Sequence, residues 1–398
     1  MRVPRRIVFL SLSLVAMVAI LLAACAPPAP TPTPVPPPPK PTAAPPAKPA
    51  EAPAPKPTAA PAAKPTAAPT KPAPPAATPA PKAAAPAKTT KLKFGTMGFV
   101  SDAGVFIALE KGYFKEQGLD VEWELISGAN YFQLLATEGL QVGGATTDAG
   151  LFNSILRGVN LKMVADKATN VKGTRFTGLV VRKDLADQIK TPADLKGRAV
   201  ANLCENCQED YKLELWLKDG GLTLSDVKYV SLPNPADHLP ALANKSVDVA
   251  QMVEPFVTIS VDQGVGAPWL FISDRDPGMQ GAVLLFSEGF AKDVDAARRF
   301  MVANIKGVRE YLDAFNKGKN KADVVNILTK YTTLKDPKMY DKVGLPGLNP
   351  DGKINVANVA AQQDFFVRKG VLKEKLDLSK VIDMQFVDYA VQRLGPYN

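Results

Sequence analysis

The sequence predicts an α/β protein of two lobes, each built around a doubly wound sheet. Three observations support this prediction. About 308 residues follow a Pro- and Ala-rich segment that ends near residue 90, which is enough for two substantial cores. From residue 91 onward, short apolar runs typical of strands alternate with longer runs of helical periodicity. After about residue 290 the pattern becomes mainly helical. Alternation of strand and helix predicts a largely parallel sheet in each lobe.

The N-terminal segment predicts export. Three arginines within the first six residues precede an apolar run that ends in small residues before Cys25. This arrangement is typical of a secretory signal peptide, and the run is shorter than the roughly 20 residues that a spanning helix needs. The residues "LAAC" at 22–25 resemble the lipobox of bacterial lipoproteins, which implies a lipid-modified Cys25. We therefore expect a signal peptide at 1–25 and an extracytoplasmic, membrane-anchored protein, with an uncleaved anchor as the alternative.

Residues 26–90 predict a disordered stalk, because they consist almost entirely of Pro, Ala, Thr and Lys. A chain of this kind favours extended polyproline II and, at about 3.1 Å per residue, reaches on the order of 200 Å. The first 90 residues also carry three arginines and seven lysines against one glutamate. They account for the whole net charge of +9, so residues 91–398 are formally neutral. A neutral folded region argues against nucleic acid as a partner.

The predicted elements follow one another in the order expected of βα units. The second strand alternates, with Val121, Trp123 and Leu125 on one face. Strands are predicted at 91–97, 119–126, 141–145, 161–166, 177–182, 197–203, 227–232, 247–252 and 268–273. Helices are predicted at 104–114, 129–139, 151–158, 211–221, 295–318, 321–331 and 356–370.

Four segments carry a family resemblance. They are "ALEKGYFKEQGLDVEWELISG" (108–128), "TPADLKGRAVAN" (191–202), "ALANKSVDVAQMVEPF" (241–256) and "LLFSEGFAKDVDAARRFMVANIKGVREYL" (284–312). In this order they resemble the substrate-binding proteins of bacterial ABC importers, in the type II group that binds nitrate, sulfonates, taurine and thiamine-pyrimidine precursors. The resemblance covers nearly all of residues 91–398.

The resemblance implies a type II periplasmic-binding-protein fold, in which two doubly wound sheets are joined by a two-strand hinge and ligand binds in the cleft. By this analogy lobe one comprises 91–178 and 285–398, and lobe two comprises 179–284. The strands "TGLVVR" and "GAVLLFS" would form the hinge. The implied partners are a small-molecule solute and an ABC permease with its ATPase. The resemblance implies a monomer without a cofactor or enzymatic activity.

Ligands of open α/β sheets bind beyond the carboxyl ends of strands, near helix N-termini. Applied to the predicted strands, this rule selects polar and aromatic residues in five loops. They are Phe99, Ser101, Asp102, Asn130, Tyr131, Thr146, Thr147, Asp148, Asn202, Cys204, Glu205, Asn206 and Glu254. The structural alternatives are helix caps for the aspartates and threonines and a core position for the tyrosine.

The charge of these loops favours a ligand that offers hydrogen-bond donors, such as an aminopyrimidine. They hold four carboxylates and no arginine to bind a strong anion in a bidentate manner, and Arg175 is the nearest cation. Helix N-termini favour an anion, so a sulfonate or nitrate remains an alternative ligand.

Cys204 and Cys207 leave the main alternative function open. A Cys-x-x-Cys pair occurs in structural disulfides, in metal sites and in thiol–disulfide enzymes. An oxidising exterior favours a local disulfide that shapes the loop. With the single histidine His238, the sequence predicts no multi-histidine metal site, and it contains no phosphate-binding glycine loop. We therefore predict a solute-binding lipoprotein, with an exported redox or metal-handling lipoprotein as the alternative and a membrane-tethered sensor as a third possibility.

Overall fold

The computed structural model describes residues 89–126 and 130–398. The predicted signal peptide, Cys25 and the stalk as far as residue 88 lie outside this range. The described strands are β1 (Thr90–Thr96), β2 (Leu119–Leu125), β3 (Val142–Thr146), β4 (Leu161–Thr169), β5 (Thr177–Arg182), β6 (Ala199–Asn202), β7 (Lys228–Ser231), β8 (Val249–Val253), β9 (Gly266–Phe271) and β10 (Gln280–Ser287).

The described helices lie mainly between strands in the first part of the chain and follow one another after β10. They are α1 (Ala103–Glu110), α2 (Tyr113–Glu116), α3 (Tyr131–Ala136), α4 (Ala149–Leu156), α5 (Gln208–Asp219), α6 (His238–Ala243), α7 (Phe256–Asp262), α8 (Ile272–Arg275), α9 (Glu288–Lys292), α10 (Val294–Lys317), α11 (Lys321–Tyr331), α12 (Val356–Arg368), α13 (Leu378–Val381) and α14 (Gln385–Leu394). The predicted helix 104–114 is interrupted at Gly112, whose φ of 76° is strained for most residues with a side chain.

The strands form two five-stranded sheets, in the orders β2-β1-β3-β10-β4 and β7-β6-β8-β5-β9. In each sheet four strands run in one direction, which confirms the largely parallel arrangement. The fifth strand, β10 or β5, is antiparallel to both of its neighbours. The reason is topological: each of these strands begins where the chain arrives from the other sheet, at the edge where its neighbours end.

Two connections carry the chain between the sheets, residues 170–176 from β4 to β5 and residues 272–279 leading to β10. Two hydrogen bonds join the connections: the Asn170 N–H donates to the Met279 carbonyl (3.0 Å), and the Gly278 N–H donates to the Asn170 carbonyl (2.6 Å). The predicted hinge strands "TGLVVR" and "GAVLLFS" lie at the ends of these connections, as inner strands of their own sheets.

One face of the first sheet is covered by α1, α10 and α14, which share an apolar core. Helix α10 is capped by Asp293, whose side chain accepts the Ala296 N–H (3.2 Å), and it ends before Gly318, which has φ 70°. A Cβ atom at Gly307 would lie 2.1 Å from the Gly104 carbonyl, so glycine is required for α10 to approach α1 this closely. This approach fixes the start of α1 and the residues that precede it.

A second apolar core contains residues of both sheets. Helix α12 lies between α4 and α5, with Phe366 against Phe152 (6.2 Å between ring centroids) and Phe365 against Tyr211 (5.6 Å). The C-terminal helices therefore contribute to the junction of the two lobes as well as to lobe one. Among the helices that the structure describes, none combines the length and the apolar character needed to cross a membrane.

Candidate ligand-binding site

A cavity of about 750 Å³ lies between the second sheet with its helix α7 and the C-terminal part of the chain, beside the first connection. Its lining includes Arg175 of the connection, Glu254 and Val261 next to the second sheet, and Phe315 and Tyr340 of the C-terminal part. Of the residues that the sequence predicted to contact ligand, all within the described ranges, Glu254 alone lines this cavity. The volume suits an organic molecule of moderate size.

Glu254 lies between the end of β8 and the start of α7, half-buried, and its carboxylate accepts three hydrogen bonds. Donors are the Thr258 N–H (3.0 Å), the Thr258 hydroxyl (2.9 Å) and the Gly344 N–H (3.2 Å). Burial raises the pKa of the Glu254 carboxyl, and these hydrogen bonds oppose the rise. Because Gly344 belongs to the C-terminal part, the Glu254 carboxylate also joins the two lobes.

Three basic side chains line the cavity, and two of them have carboxylate partners. Lys321 pairs with Asp341 (2.7 Å) and Lys342 with Asp262 (3.2 Å). Arg175 stacks over the Phe271 ring, with its Cζ 5.0 Å from the ring centroid, and it forms no ion pair with any carboxylate of the described chain. Its guanidinium is exposed, so it is the cation best placed to receive an anion.

The loop after β1 forms a second polar cluster, outside the cavity. Asp102 is buried, with one carboxylate oxygen 2.8 Å from the Thr96 hydroxyl and the other 3.2 Å from Lys167 Nζ. Lys167 also donates to the Ser101 hydroxyl (2.8 Å) and lies 6.0 Å from the centroid of the exposed Phe99 ring. The polar groups of this loop are therefore largely paired within the protein, and the cavity beside the ion pair has a volume of only about 10 Å³.

Most of the predicted residues near β3 have internal partners. Tyr131 is buried, with its hydroxyl donating to the Gly95 carbonyl (3.0 Å) and accepting the Gly144 N–H (2.6 Å). Asp148 caps α4 by accepting the Leu151 N–H (3.1 Å). Asn130 and Thr146 are exposed. These positions agree with the core and capping alternatives given by the sequence.

A buried polar network joins the lobes at the start of α5. The Gln208 Nε2 atom lies 2.9 Å from both the Thr147 hydroxyl and the Gly281 carbonyl, and 3.0 Å from Gln362 Oε1. Thr147 in turn donates to the Gln280 carbonyl (2.9 Å). The residues Thr147, Gln208, Gln280 and Gln362 are each at most 2% exposed. Thr147 is therefore part of the lobe junction.

The loop that precedes α5 carries a disulfide between Cys204 and Cys207, with a Cα–Cα distance of 5.8 Å. Glu205 and Asn206 between them are exposed. Within the described ranges, no three His, Cys, Asp or Glu side chains are grouped so that they could hold a metal ion.

Asp210, which is fully buried, holds this loop in place. Its carboxylate accepts the Asn206 N–H (2.6 Å) and the Asn202 side-chain amide (3.0 Å), and Tyr229 Oη lies 2.8 Å away. It also pairs with Lys369, which follows α12. The disulfide loop is thereby fixed to both lobes.

Sequence reasoning missed Lys167, Gln208 and Asp210. The sequence signal that could have identified them is a charged or amide side chain inside an otherwise apolar strand or at the start of a buried helix. Their partners lie 66, 61 and 159 residues away in the chain.

The sequence model of the family described as NMT1/THI5 like matches residues 101–314. Two solved binding proteins share the fold. The alkanesulfonate-binding protein of Xanthomonas axonopodis pv. citri, bound to MOPS, is 17% identical, with a TM-score of 0.57 over 75% of this chain and 100% of that chain. The periplasmic nitrate-binding protein of Synechocystis PCC 6803 is 17% identical, with a TM-score of 0.59 over 78% of this chain and 90% of that chain.

A desulfurization enzyme shares the same fold, at 14% identity and a TM-score of 0.56, over 77% of this chain and 99% of that chain. No protein of curated function matches the sequence directly. At these identities the likeness establishes the fold, and it confirms the predicted two-lobed α/β architecture. Because binding proteins and an enzyme share the fold, the function has to be argued from the site.

Proposed function

Because the chain belongs to the NMT1/THI5-like family, as the sequence resemblance predicted, we propose that it is an extracytoplasmic solute-binding lipoprotein. It captures a small polar or heterocyclic molecule between its lobes and delivers it to an ABC permease and ATPase, without chemistry of its own. The observation that carries the proposal is the 750 Å³ cavity, whose lining comes from both lobes and from the connection at Arg175. A ligand that contacts both lobes stabilises the closed arrangement by its greater affinity for that state.

The side of the lobe junction that holds α5 and α12 is tightly packed. Gln208 is buried in its polar network, the Tyr211 and Phe365 rings are in contact, and Arg368 pairs with Glu214 (2.7 Å). Separating this side would expose aromatic surface and leave buried polar groups without partners, which costs several kcal/mol by area and hydrogen-bond estimates (about 25 cal/mol per Å² and about 1 kcal/mol per bond).

The cavity side is held much more weakly. It is joined by the hydrogen bond from Gly344 to Glu254 and by the ion pair between Lys342 and Asp262, whose side chains are 57% and 53% exposed. Exposed ion pairs contribute about 0–1 kcal/mol. We therefore place opening and closing on the cavity side, with the contact between α5 and α12 as the pivot.

The N-terminal residues supply the proposed anchor. Export and lipidation at Cys25 rest on the sequence pattern at 1–25, and the stalk at 26–90 would hold the binding lobes away from the membrane. Growth of the producing cells with an alkyne-tagged fatty acid tests this part. The full chain should be labelled and the Cys25→Ser variant should not, and equal labelling of both would contradict lipidation at Cys25.

A ligand screen tests the binding function itself. The melting temperature of the full chain is measured with nitrate, sulfonates, amino acids, aminopyrimidines and aromatic acids, and at least one compound should raise it in a concentration-dependent way. The Val261→Trp variant, which fills part of the cavity, should lose this response. Val356→Trp is the matched control, because Val356 is exposed and does not line the cavity.

Two results would contradict the proposal. One is an empty screen in which zinc or copper alone raises the melting temperature, since this would favour the metal-handling alternative. The other is a response to solute that persists unchanged in the Val261→Trp variant, since the solute would then bind elsewhere.

A further inference from the structure

The cavity indicates the chemical class of the ligand more closely than the sequence does. Resting on the proposed function, we propose that the solute is an organic anion, a carboxylate or sulfonate, with a bulky apolar or aromatic body. Arg175 would be the residue that recognises the anionic group. The sequence had favoured the opposite class, a ligand rich in hydrogen-bond donors, on the strength of four carboxylates in the predicted loops.

Those carboxylates are not available for such a ligand. Asp102 is buried in its ion pair with Lys167, and Asp148 caps α4. Glu205 is exposed in the disulfide loop and does not line the cavity. Glu254 does line it, but its two oxygens already accept three hydrogen bonds from the protein. A donor-rich ligand would therefore find few acceptors that lack partners.

The basic side chains are arranged differently. The two lysines of the lining have their own carboxylates at 2.7 and 3.2 Å. Arg175 has the Phe271 ring on one face of its guanidinium, at 5.0 Å, and its N–H groups have no carboxylate partner within the described residues. Contact with an aromatic ring leaves the N–H groups of a guanidinium able to bind a carboxylate or sulfonate in a bidentate manner.

The rest of the cavity lining is largely apolar, which favours a ligand with an apolar part as well as an anionic group. Its apolar members include Val171, Val257, Val261, Phe271, Phe315 and Leu345. Val171 and Val261 are 45% and 49% exposed, so their side chains offer apolar surface that a ligand would cover. Nitrate or a short amino sulfonate would leave most of a 750 Å³ space unfilled and most of this surface in water.

Arg175 lies on the connection between β4 and β5, and its backbone carbonyl faces Gly344. A Cβ atom at Gly344 would lie 2.4 Å from that carbonyl, so the connection and the C-terminal part are in close contact here. An anion bound by Arg175 therefore acts on a segment that has to change conformation when the lobes move. Recognition of the charge and closure of the cavity are coupled at one residue.

A matched set of compounds tests the class, with affinity for the full chain measured by calorimetry. The set is 2-naphthoate, naphthalene-2-sulfonate, the neutral 2-naphthamide, acetate, nitrate and 4-amino-2-methylpyrimidine. At least one naphthyl anion should bind, and it should bind about 10- to 100-fold more tightly than the amide, which has the same body, and than acetate, which has the charge alone. The two anions distinguish carboxylate from sulfonate.

Arg175→Gln should weaken binding of the naphthyl anion by about 10- to 100-fold without affecting the amide, because only the charged interaction is lost. Arg393→Gln, at an exposed arginine outside the cavity, is the control and should bind like the wild type. Equal binding of amide and anion, wild-type affinity in Arg175→Gln, or no binding of either anion would overturn the class. If the pyrimidine binds and the anions do not, the proposed ligand class is wrong but the solute-binding function is still supported. The solute-binding function itself is contradicted only if no compound in the broad ligand screen binds.

Discussion

Asp210→Ala should be among the most destabilising single substitutions in lobe two. Asp210 is fully buried, and its carboxylate accepts hydrogen bonds from the Asn202 side chain and the Asn206 N–H, with Tyr229 Oη at 2.8 Å. Removal of the acceptor leaves the Asn202 amide and the Asn206 N–H without this partner and also removes the charge that pairs with Lys369. Hydrogen bonds to a charged group contribute about 1.5–3 kcal/mol each, and because Asp210 accepts at least two of them we expect a decrease of about 3–6 kcal/mol in the free energy of unfolding.

Equilibrium urea unfolding of the full chain measures this decrease, and Glu374→Ala serves as the control because Glu374 is exposed and should change stability by less than about 0.5 kcal/mol. A second measurement is specific to the loop. Thiol reagents should reduce the disulfide between Cys204 and Cys207 faster in Asp210→Ala than in the control, since the loop has lost its anchor. A loss of less than about 1 kcal/mol together with an unchanged reduction rate would refute the assignment of Asp210 as that anchor.

Three further predictions concern the junction and the core. Burial raises the pKa of Asp166 from 3.8 to about 6, so its contribution to stability is fully present below about pH 4 and is lost as the pH rises through 6. In urea unfolding the wild type should therefore lose about 3 kcal/mol of stability between pH 4 and pH 7 relative to Asp166→Asn. Parallel pH profiles of the two proteins would contradict this prediction. Gly307→Ala should lower stability by about 1–3 kcal/mol because a Cβ there meets the Gly104 carbonyl, whereas Gly150→Ala, at an exposed position of α4 without a positive φ, should cost less. Cys204→Ser with Cys207→Ser should lower stability by about 2 kcal/mol and leave solute affinity within about threefold, while loss of all activity would favour the redox or metal-handling alternative.

The periodicity of the sequence predicted the elements more reliably than their arrangement. Strand β5 and helix α11 lie at the predicted residues, because a short apolar run and a helical pattern each had clear boundaries. The direction of β5 and β10 was not predicted. Strand direction depends on which edge of a sheet the chain reaches, and local hydrophobicity carries no information about that.

The candidate site shows the same limit more strongly. Glu254 was predicted because it follows a strand. Arg175 was noted only as the cation nearest to the loops and was not among the predicted ligand residues. The sequence gives no indication that Asp102 is neutralised by Lys167 or that Gln208 is buried between the lobes, because those partners are distant along the chain. Counting carboxylates in loops therefore predicted a ligand class that their internal pairing does not favour.

The distance across the cavity tests the central claim most directly. Spin labels at residues 263 and 338, exposed positions beside the two lobes of the cavity, report its opening, and labels at 218 and 373 report the α5–α12 side; all are placed in the full chain with Cys25→Ser. On addition of a solute that raises the melting temperature, the 263–338 distance should shorten and narrow while the 218–373 distance stays the same. Binding without change in the cavity pair, or an equal change in both pairs, would contradict closure of the cavity about the α5–α12 pivot.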